Sequence, residues 1–548
     1  MVGYQVYVLS FADSNGDGIG DLAGITQRLE HIAWLGADIV WLNPFYPSPG
    51  RDHGYDVSDY CAVDPKHGTM EDFRQFADKA HSLGLAVVVD IVPNHTSSDH
   101  PWFQESRDPN SAKRDWYVWR DPGPNGGPPN NWLSHFGGPA WTLDEASGQY
   151  WCHLFLPEQP DLNWRNEEVQ EAFDDIFRFW CQQGVDGFRL DVAHALMKHP
   201  DFPDNPMIAE PQPGMGARGI FNCFEHRYDL DQDDNVQIFR RWHDVVAPAL
   251  LLGEIFITEG HRFARYVSEG ALDAAFHLPP MWASWEPAQL VREILDLCEH
   301  APDGVSWILS NHDGSRPVSR FGGGEAGLRR AFAVTTAMSA LGGLPFIFQG
   351  EELGLPNSEI ADDDLSDPLI ARNKHGESRD VCRTPMPWDN THINGFTTAD
   401  KAWLQAPPRP PELTVEGQRD NPNSPLAAYR SLIHLRKTHP EIWNAPLDKA
   451  EALAPEVLYV SRGDICLVAN LSANPFQATL DTPAIQLFTS DCVTGREDSE
   501  IEKGMETEKG METAKEMETE KGRAAANTMA STNYEIPPET AAIFLATN

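Results

Sequence analysis

Apolar residues recur along the chain in short unbroken runs of strand length: Tyr4–Phe11, Ala37–Pro44, Leu85–His95, Asp186–Asp191, Leu250–Phe256, Leu272–Leu278, Val305–Asp313 and Leu344–Glu352. Runs that are apolar throughout, rather than alternating with polar residues, are the mark of strands buried on both faces, as in a parallel sheet. Helical patterns lie between them. In Met70–Leu83 the residues Phe73, Phe76, Ala77, Ala80 and Leu83 follow one another at spacings of three and four. Eight such strands with helical crossovers predict an α/β fold, a (β/α)8 TIM barrel with insertions, over a doubly wound sheet.

Two stretches interrupt the alternation. Residues 96–165, rich in Trp, Pro, Gly and Asn, are too long for a plain βα loop and read as a small domain inserted after strand 3. Residues 354–424 form a second, Pro-rich excursion ahead of a helical pattern at Leu426–His439. From residue 443 the pattern turns β-rich (Val457–Val460, Ile465–Leu471, Thr540–Leu545). The expected domains are therefore a barrel over 1–95 and 166–442, an insert at 96–165, and a C-terminal antiparallel β-sandwich over 443–548. The last contains a low-complexity repeat, Glu500–Gly522, expected to be a loop without a catalytic part.

Several of the apolar runs end in a polar or ionisable cluster: Asp90 with Asn94-His95, Arg189 with Asp191, Glu254, Asn311-His312-Asp313, and Gln349-Gly350-Glu351. Buried strands that terminate in charge are costly unless the charges face a polar site, and in a barrel the C-terminal strand ends face the active site. Asp191, Glu254 and Asp313 are the candidate catalytic carboxylates. Glycoside hydrolysis needs one carboxylic acid to protonate the leaving oxygen and one carboxylate facing the developing positive charge. Arg189 lies two residues before Asp191, hence on the same face of the strand, and an adjacent guanidinium favours an ionised Asp191, as a nucleophile requires. Glu254, set in Leu251-Leu252-Gly253-Glu254-Ile255-Phe256, has apolar neighbours that should raise its pKa, as a general acid requires.

The net charge of −40 argues against binding nucleic acid or an anionic membrane surface. No run of about 20 apolar residues offers a membrane span. The 17 Trp residues suggest a ligand with broad faces to stack on. Eight cysteines without CxxC spacing, and an N-terminus without a basic region or small-residue cleavage site, make the chain read as cytoplasmic with reduced thiols. Asp13, Asn15, Asp17 and Asp21 alternate with glycines, and with the Ile19 carbonyl they could converge on one hard cation, calcium first and magnesium as the alternative, in a structural role. An EF-hand is excluded because its twelfth position is Gly24. The histidines show no HxxxH or HxH spacing, and Gly322-Gly-Gly lacks the Lys-Ser/Thr of a phosphate loop.

Asp90-Ile-Val-Pro-Asn-His95, Gly187-Phe-Arg-Leu-Asp191, Gly253-Glu254 and Ser310-Asn-His-Asp313 resemble, in order and spacing, the four signature regions of the α-amylase superfamily (glycoside hydrolase family 13). Gln159-Pro-Asp-Leu-Asn-Trp164 and the Asp13–Asp21 loop are similar to features of its α-glucosidase and oligo-1,6-glucosidase branch. The resemblance covers most of residues 1–440. It implies a retaining mechanism, with Asp191 as nucleophile, Glu254 as acid/base and Asp313 as transition-state stabiliser. It also implies a sugar-binding shell of Asp52, Tyr55, His95, Arg189 and His312, an aromatic, Phe155, that closes it, and Arg383 lining it. The chain departs from that pattern at His53, where Asn is common, at Pro387, where Gln is usual, and at Ala193-His194. Val192, after the nucleophile, tracks linkage in relatives, but with Ala193-His194 following it the preference between α-1,4 and α-1,6 bonds stays open.

The insert and the second excursion point to a blocked pocket and hence to exo-action on short substrates. The expected activity is release of terminal glucose from short α-glucosides such as maltose, with transglycosylation beside it. The alternatives are an oligo-1,6-glucosidase, a trehalose synthase, a sucrose-splitting enzyme and, from another class, a non-catalytic transporter partner. The expected partner is a small α-glucoside, and the oligomeric state is monomer or homodimer.

Overall fold

The structure is a computed structural model that describes residues 1–372, 378–439, 444–480, 482–494 and 532–546. The repeat Glu500–Gly522 lies outside the described residues. All eight predicted runs overlap a strand of one eight-stranded parallel sheet: Gly3–Val6, Ile39–Leu42, Ala86–Ile91, Gly187–Leu190, Leu250–Ile255, Ala274–His277, Val305–Trp307 and Phe346–Phe348. They are named here the first to eighth barrel strands. The sheet curls into a nearly closed barrel. The first and eighth strands pair directly, and between the seventh and eighth the closing contact is Leu344 N–H donating to Val305 O at 3.0 Å.

The alternation of side chains explains why these runs are apolar throughout. Ile39, Trp41, Val88, Leu252, Ala274, Phe276 and Phe346 form a cluster that fills the barrel's interior. Their neighbours Val40, Val87, Val89, Phe188 and Leu251 belong to a separate cluster shared with the surrounding helices. Gly3 is part of the inner packing. A Cβ there would stand 2.2 Å from the Phe346 ring, so the ring occupies the space that glycine leaves. The strands are shorter than the apolar runs that announce them. Tyr4–Phe11, for example, is a strand only to Val6, after which Val8–Phe11 makes a single helical turn. Loops over the strand ends bury these residues too, so apolarity outlasts the ladder.

The surrounding helices carry their own punctuation. Helix Met70–Ser82 buries Phe73, Phe76, Ala77 and Ala80, and begins with a capping box between Thr69 and Asp72. Helix Leu22–Leu35 is N-capped by Asp21 and ends on Gly36 at φ 103°. The predicted helix before the C-terminal region runs Pro425–Thr438.

Between the third and fourth strands, residues 96–165 hold the short helix Pro101–Ser106 and a small antiparallel sheet of Trp119–Arg120, Trp141–Asp144 and Gln149–Cys152. Its core of Trp132, Trp141, Tyr150 and Leu154 continues into Val192, Ala195 and Phe221, beyond the fourth strand. The insert is thus packed onto the loop that follows Asp191. After the barrel come a five-stranded antiparallel sheet and a two-stranded one, Phe476–Leu480 with Thr532–Ile536, with Val468, Ala478, Leu480, Ile536 and Phe544 in one cluster. Arg329 and Arg330 of helix Gly324–Ala340 both reach the buried Glu539 carboxylate, and Arg462 reaches Asp303 at 2.7 Å, which pins these sheets to the barrel. All eight cysteines are free thiols. Among the described residues no helix is long and apolar enough to cross a membrane.

Candidate active site

The strand periodicity that fills the barrel also delivers its polar end. Val88, Gly187 and Leu252 occupy the inner layer, and two residues further along the same strands stand Asp90, Arg189 and Glu254, with Asp191 one further step on. Arg189 is 1% exposed and touches three carboxyl groups. Its Nη1 donates to Asp90 Oδ1 at 2.9 Å and to Asp191 Oδ1 at 2.5 Å, and its Nη2 lies 2.6 Å from Glu254 Oε1. The guanidinium also sits over the Trp41 ring, 5.2 Å from its centre.

Arg189 therefore lies against Asp191 as the spacing implies, but the expected consequence is only partly met. One cation is divided among three buried carboxyls, so burial outweighs it. Asp90 is pushed up to about 7, and Asp191 and Glu254 are also raised, in each case by burial with Arg189 opposing. The three titrate as one unit that retains a proton more readily than a free carboxylate.

Val192 follows Asp191 at φ 42°, ψ 43°. Left-handed backbone at a buried β-branched residue is strained and persists only where the surroundings impose it. Here it aims the Val192 N–H at Glu254 Oε2, 3.1 Å away, which ties the turn after one carboxylate to the other.

Asp313 has the opposite electrostatics. Burial works against its ionisation, and the cations around it win. Arg383 Nη2 and Arg379 Nη1 lie 2.8 and 3.2 Å from Asp313 Oδ1, and they hold its carboxyl well below the usual range. His312 Nε2 is 3.2 Å from Asp313 Oδ2, but burial keeps this imidazole neutral, so the guanidinium groups supply the charge. His312 Nδ1 faces the amide nitrogens of Gln5 (2.9 Å) and Asn43 (3.2 Å), which assigns it as acceptor and leaves the proton on Nε2. The ring is stacked between Tyr7 and Tyr55, at 5.7 and 5.2 Å. Tyr55 in turn donates to Asp90 Oδ2 at 3.0 Å.

The remaining predicted residues join the same network. Gln159 Nε2 bridges Asp52 Oδ2 (3.0 Å) and His95 Nε2 (3.1 Å), and Phe155 packs on His95 at 5.2 Å between ring centres. Arg383 also donates to His53 Nδ1 at 2.8 Å, so the unusual histidine serves as acceptor for a residue of the site. All ten predicted catalytic and sugar-binding residues thus belong to one connected cluster at the C-terminal mouth of the barrel.

Sequence reasoning left out further members of it, among them four that join separate segments. Asp90 was visible as a strand-end carboxylate, but its contact with Arg189 depends on the register of two strands. Arg379 lies in the second excursion and gathers Asp52, Asp313 and Asp367, at 2.9, 3.2 and 2.8 Å. Lys198 is buried and donates to Asn94 Oδ1, Ala195 O and Asp161 Oδ2 at 2.6–2.8 Å, joining two strand ends to the insert. Gln159 opens the Gln159–Trp164 segment, and its bridge between Asp52 and His95 depends on how the insert packs onto the barrel mouth.

The Asp13–Asp21 loop lies apart from these carboxylates, against Thr397 and Phe396 of the second excursion. Asp13 accepts from the N–H groups of Asn15, Gly16 and Gly18, Asn15 from Asp17, and Asp17 from Ile19. Asp21 accepts from Ser14 and Gly24. Among the described residues no three His, Cys, Asp or Glu side chains converge into a ready cage. The donor chemistry is nevertheless that of a hard cation: three carboxylates, an amide oxygen and a carbonyl, with no cationic side chain paired to Asp13, Asp17 or Asp21 among the described residues.

Comparison with known proteins agrees with this geometry. The model of the α-amylase catalytic domain matches residues 5–445. The probable α-glucosidase of Rhizobium meliloti is 42% identical over 465 residues, which cover 82% of this chain and 84% of that protein. The oligo-1,6-glucosidase of Parageobacillus thermoglucosidasius is 37% identical over 475 residues, covering 80% of this chain and 83% of that one. Among solved structures, an α-glucosyl transfer enzyme superposes with a TM-score of 0.86 at 35% identity, over 100% of this chain and 98% of its own.

Proposed function

The chain belongs to the α-amylase catalytic-domain family and is a glycoside hydrolase of the glucosidase type, and we propose that it is a retaining, exo-acting α-glucosidase that releases terminal non-reducing glucose from short α-glucosides such as maltose. The observation that carries this reading is the arrangement around Arg189. Asp191 and Glu254 contact different nitrogens of one guanidinium and lie within hydrogen-bonding reach of each other, which supports a close pair suited to retention over a wider gap that admits a water for inversion.

In this reading the Asp191 carboxylate attacks the anomeric carbon as the glycosidic C–O bond breaks, while Glu254 gives its proton to the departing oxygen. A water then attacks the glucosyl ester, losing a proton to Glu254, and the bond to Asp191 breaks. Asp313, kept ionised by Arg379 and Arg383, faces the positive charge that develops on the sugar. Asp52, Tyr55, His95, Arg189, His312 and Arg383 hold the terminal glucose, with Phe155 closing the pocket. Attack on the glucosyl ester by a sugar hydroxyl in place of water gives transglycosylation.

A side chain such as Arg379, held by Asp52, Asp313 and Asp367, supports a pocket that ends at the first sugar. Oligo-1,6-glucosidase action on isomaltose-type substrates is the second reading, kept open by Val192 with Ala193-His194 after the nucleophile. Glucose release from maltose, isomaltose, sucrose, trehalose and starch, measured in parallel, separates these. Maltose turnover well above starch turnover is the expected result, and efficient starch cleavage with poor maltose cleavage would remove the exo reading. In the loop, Asp13, Asn15, Asp17, the Ile19 carbonyl and Asp21 would hold a structural Ca2+, with Mg2+ as the alternative, and the ion would steady the loop without a part in the chemistry.

A further inference from the structure

A cavity of about 310 Å3 opens between the loop after the second strand, the start of the insert and helix Glu167–Gln182. Asp59, Cys61, His100, Trp102 and Ile176 line it, and none of the residues assigned to the glucose pocket does. Tyr60 stands between the two. Its side chain borders the cavity, while its hydroxyl donates to Val92 O and His95 O, at 2.8 Å each, at the end of the third strand.

The polar groups of this cavity are unspent. His100 is 5% exposed, and its Nδ1 accepts from the Trp102 N–H at 3.1 Å, which places the ring proton on Nε2. Nε2 has no hydrogen-bond partner among the described residues and is reached by solvent. Burial, with Lys113 adding to it, pushes this imidazole down to about 3, so it is a neutral N–H donor. Asp59 Oδ1 accepts from the Cys61 N–H at 2.9 Å, and Oδ2 has no partner among the described residues. Beside them the half-buried Trp102 indole is held by His100 (4.4 Å) and Trp116 (4.8 Å). A buried side chain with an unused donor on a cavity marks a position that a ligand can complete. No Lys or Arg lines the cavity, so an anion would meet only Asp59. The Lys113 ammonium, 5.8 Å from the Trp102 ring, repels a cation. What fits is a neutral molecule with hydroxyls and an apolar face, and the volume, at the lower end of about 300–1,000 Å3 for small-molecule sites, suits one sugar ring.

We propose that this cavity is a second, non-catalytic binding site for one neutral sugar ring, with the His100 Nε2 proton donated to one hydroxyl, Asp59 accepting from another, and Trp102 and Ile176 as the apolar wall. The ring can come from free glucose or from the end of a longer α-glucan, which present the same chemistry. The site goes beyond the α-glucosidase reading and does not depend on it.

The test reads Cys61, which lines the cavity, in the Asp191→Ala enzyme, so that sugars bind without being consumed. Its alkylation by iodoacetamide is followed by mass spectrometry of its peptide, in mild alkali because burial pushes the thiol up to about 11. Glucose at roughly 50 mM should slow the reaction about fivefold or more, since one ring held by two hydrogen bonds and an indole binds at about millimolar strength. Protection by maltotetraose as well assigns chain ends as a source of the ring, and protection by glucose alone assigns the free sugar. In the same background, His100→Asn keeps a helix-capping acceptor but loses the Nε2 donor, and Asp59→Ala alters an exposed position. Each should remove most of the protection. No slowing by either sugar, or slowing that survives both substitutions, would overturn the proposal and leave the cavity to solvent. Consumption of maltotetraose by the Asp191→Ala enzyme would instead count against the catalytic reading, and the glucose arm would still decide this one.

Discussion

At the residue scale the site rests on an imbalance of charge. Around Arg189 there are three carboxyls to one guanidinium, whereas around Asp313 there are two guanidiniums to one carboxylate. The first arrangement retains a proton and the second expels it, which separates an acid from a permanent anion within one cluster. A pH dependence follows. In the proposed mechanism hydrolysis requires Asp191 ionised and Glu254 protonated, so kcat/KM falls as pH drops through the lower apparent pKa of the cluster and again as pH rises through the upper one. Burial raises both carboxyls, so the acid limb should lie above the ordinary aspartate value of about 3.9 and the basic limb above the ordinary glutamate value of about 4.3. Arg189→Gln removes the charge that opposes burial and should move the acid limb to higher pH while lowering kcat/KM by about a hundredfold or more. An acid limb below about pH 4 in the unaltered enzyme would show that Arg189 outweighs burial after all.

At the element scale, legibility in the sequence follows locality. The eight barrel strands could be found because a strand buried on both faces leaves a mark in its own residues. Their ends could not, because residues such as Val8 and Phe11 are apolar for the sake of the loops that cover them. Asp191, Glu254 and Asp313 were visible as charges after apolar runs. Arg379 was not, since only the path of the second excursion brings it to Asp52 and Asp313. The cation loop is also a matter of elements, because Asp21 is both a proposed ligand and the N-cap of helix Leu22–Leu35. An ion there would steady the start of that helix, so chelation should lower the melting temperature by several degrees, with recovery on adding Ca2+ and less on adding Mg2+. A melting temperature indifferent to chelator and to both ions would leave the loop as a hydrogen-bonded turn only.

At the scale of the whole molecule, the net charge of −40 and the site have little to do with each other. The proposed catalytic carboxyls Asp191, Glu254 and Asp313, with Asp90 beside them, lie at the barrel mouth, while most of the excess charge is spread over the rest of the chain. The insert shares its core with the residues after Asp191, and Lys198 links it to the third and fourth strand ends, so the pocket is assembled from segments far apart in sequence. The pocket's central claim is that Asp191 and Glu254 act as a close pair with retention of configuration. Proton NMR of the first glucose released from maltose tests this most directly, before mutarotation mixes the anomers. The account predicts α-glucose first, with the β-anomer growing in only at the rate of spontaneous mutarotation. Initial appearance of β-glucose would mean inversion by a water between the two carboxyls, and would contradict it.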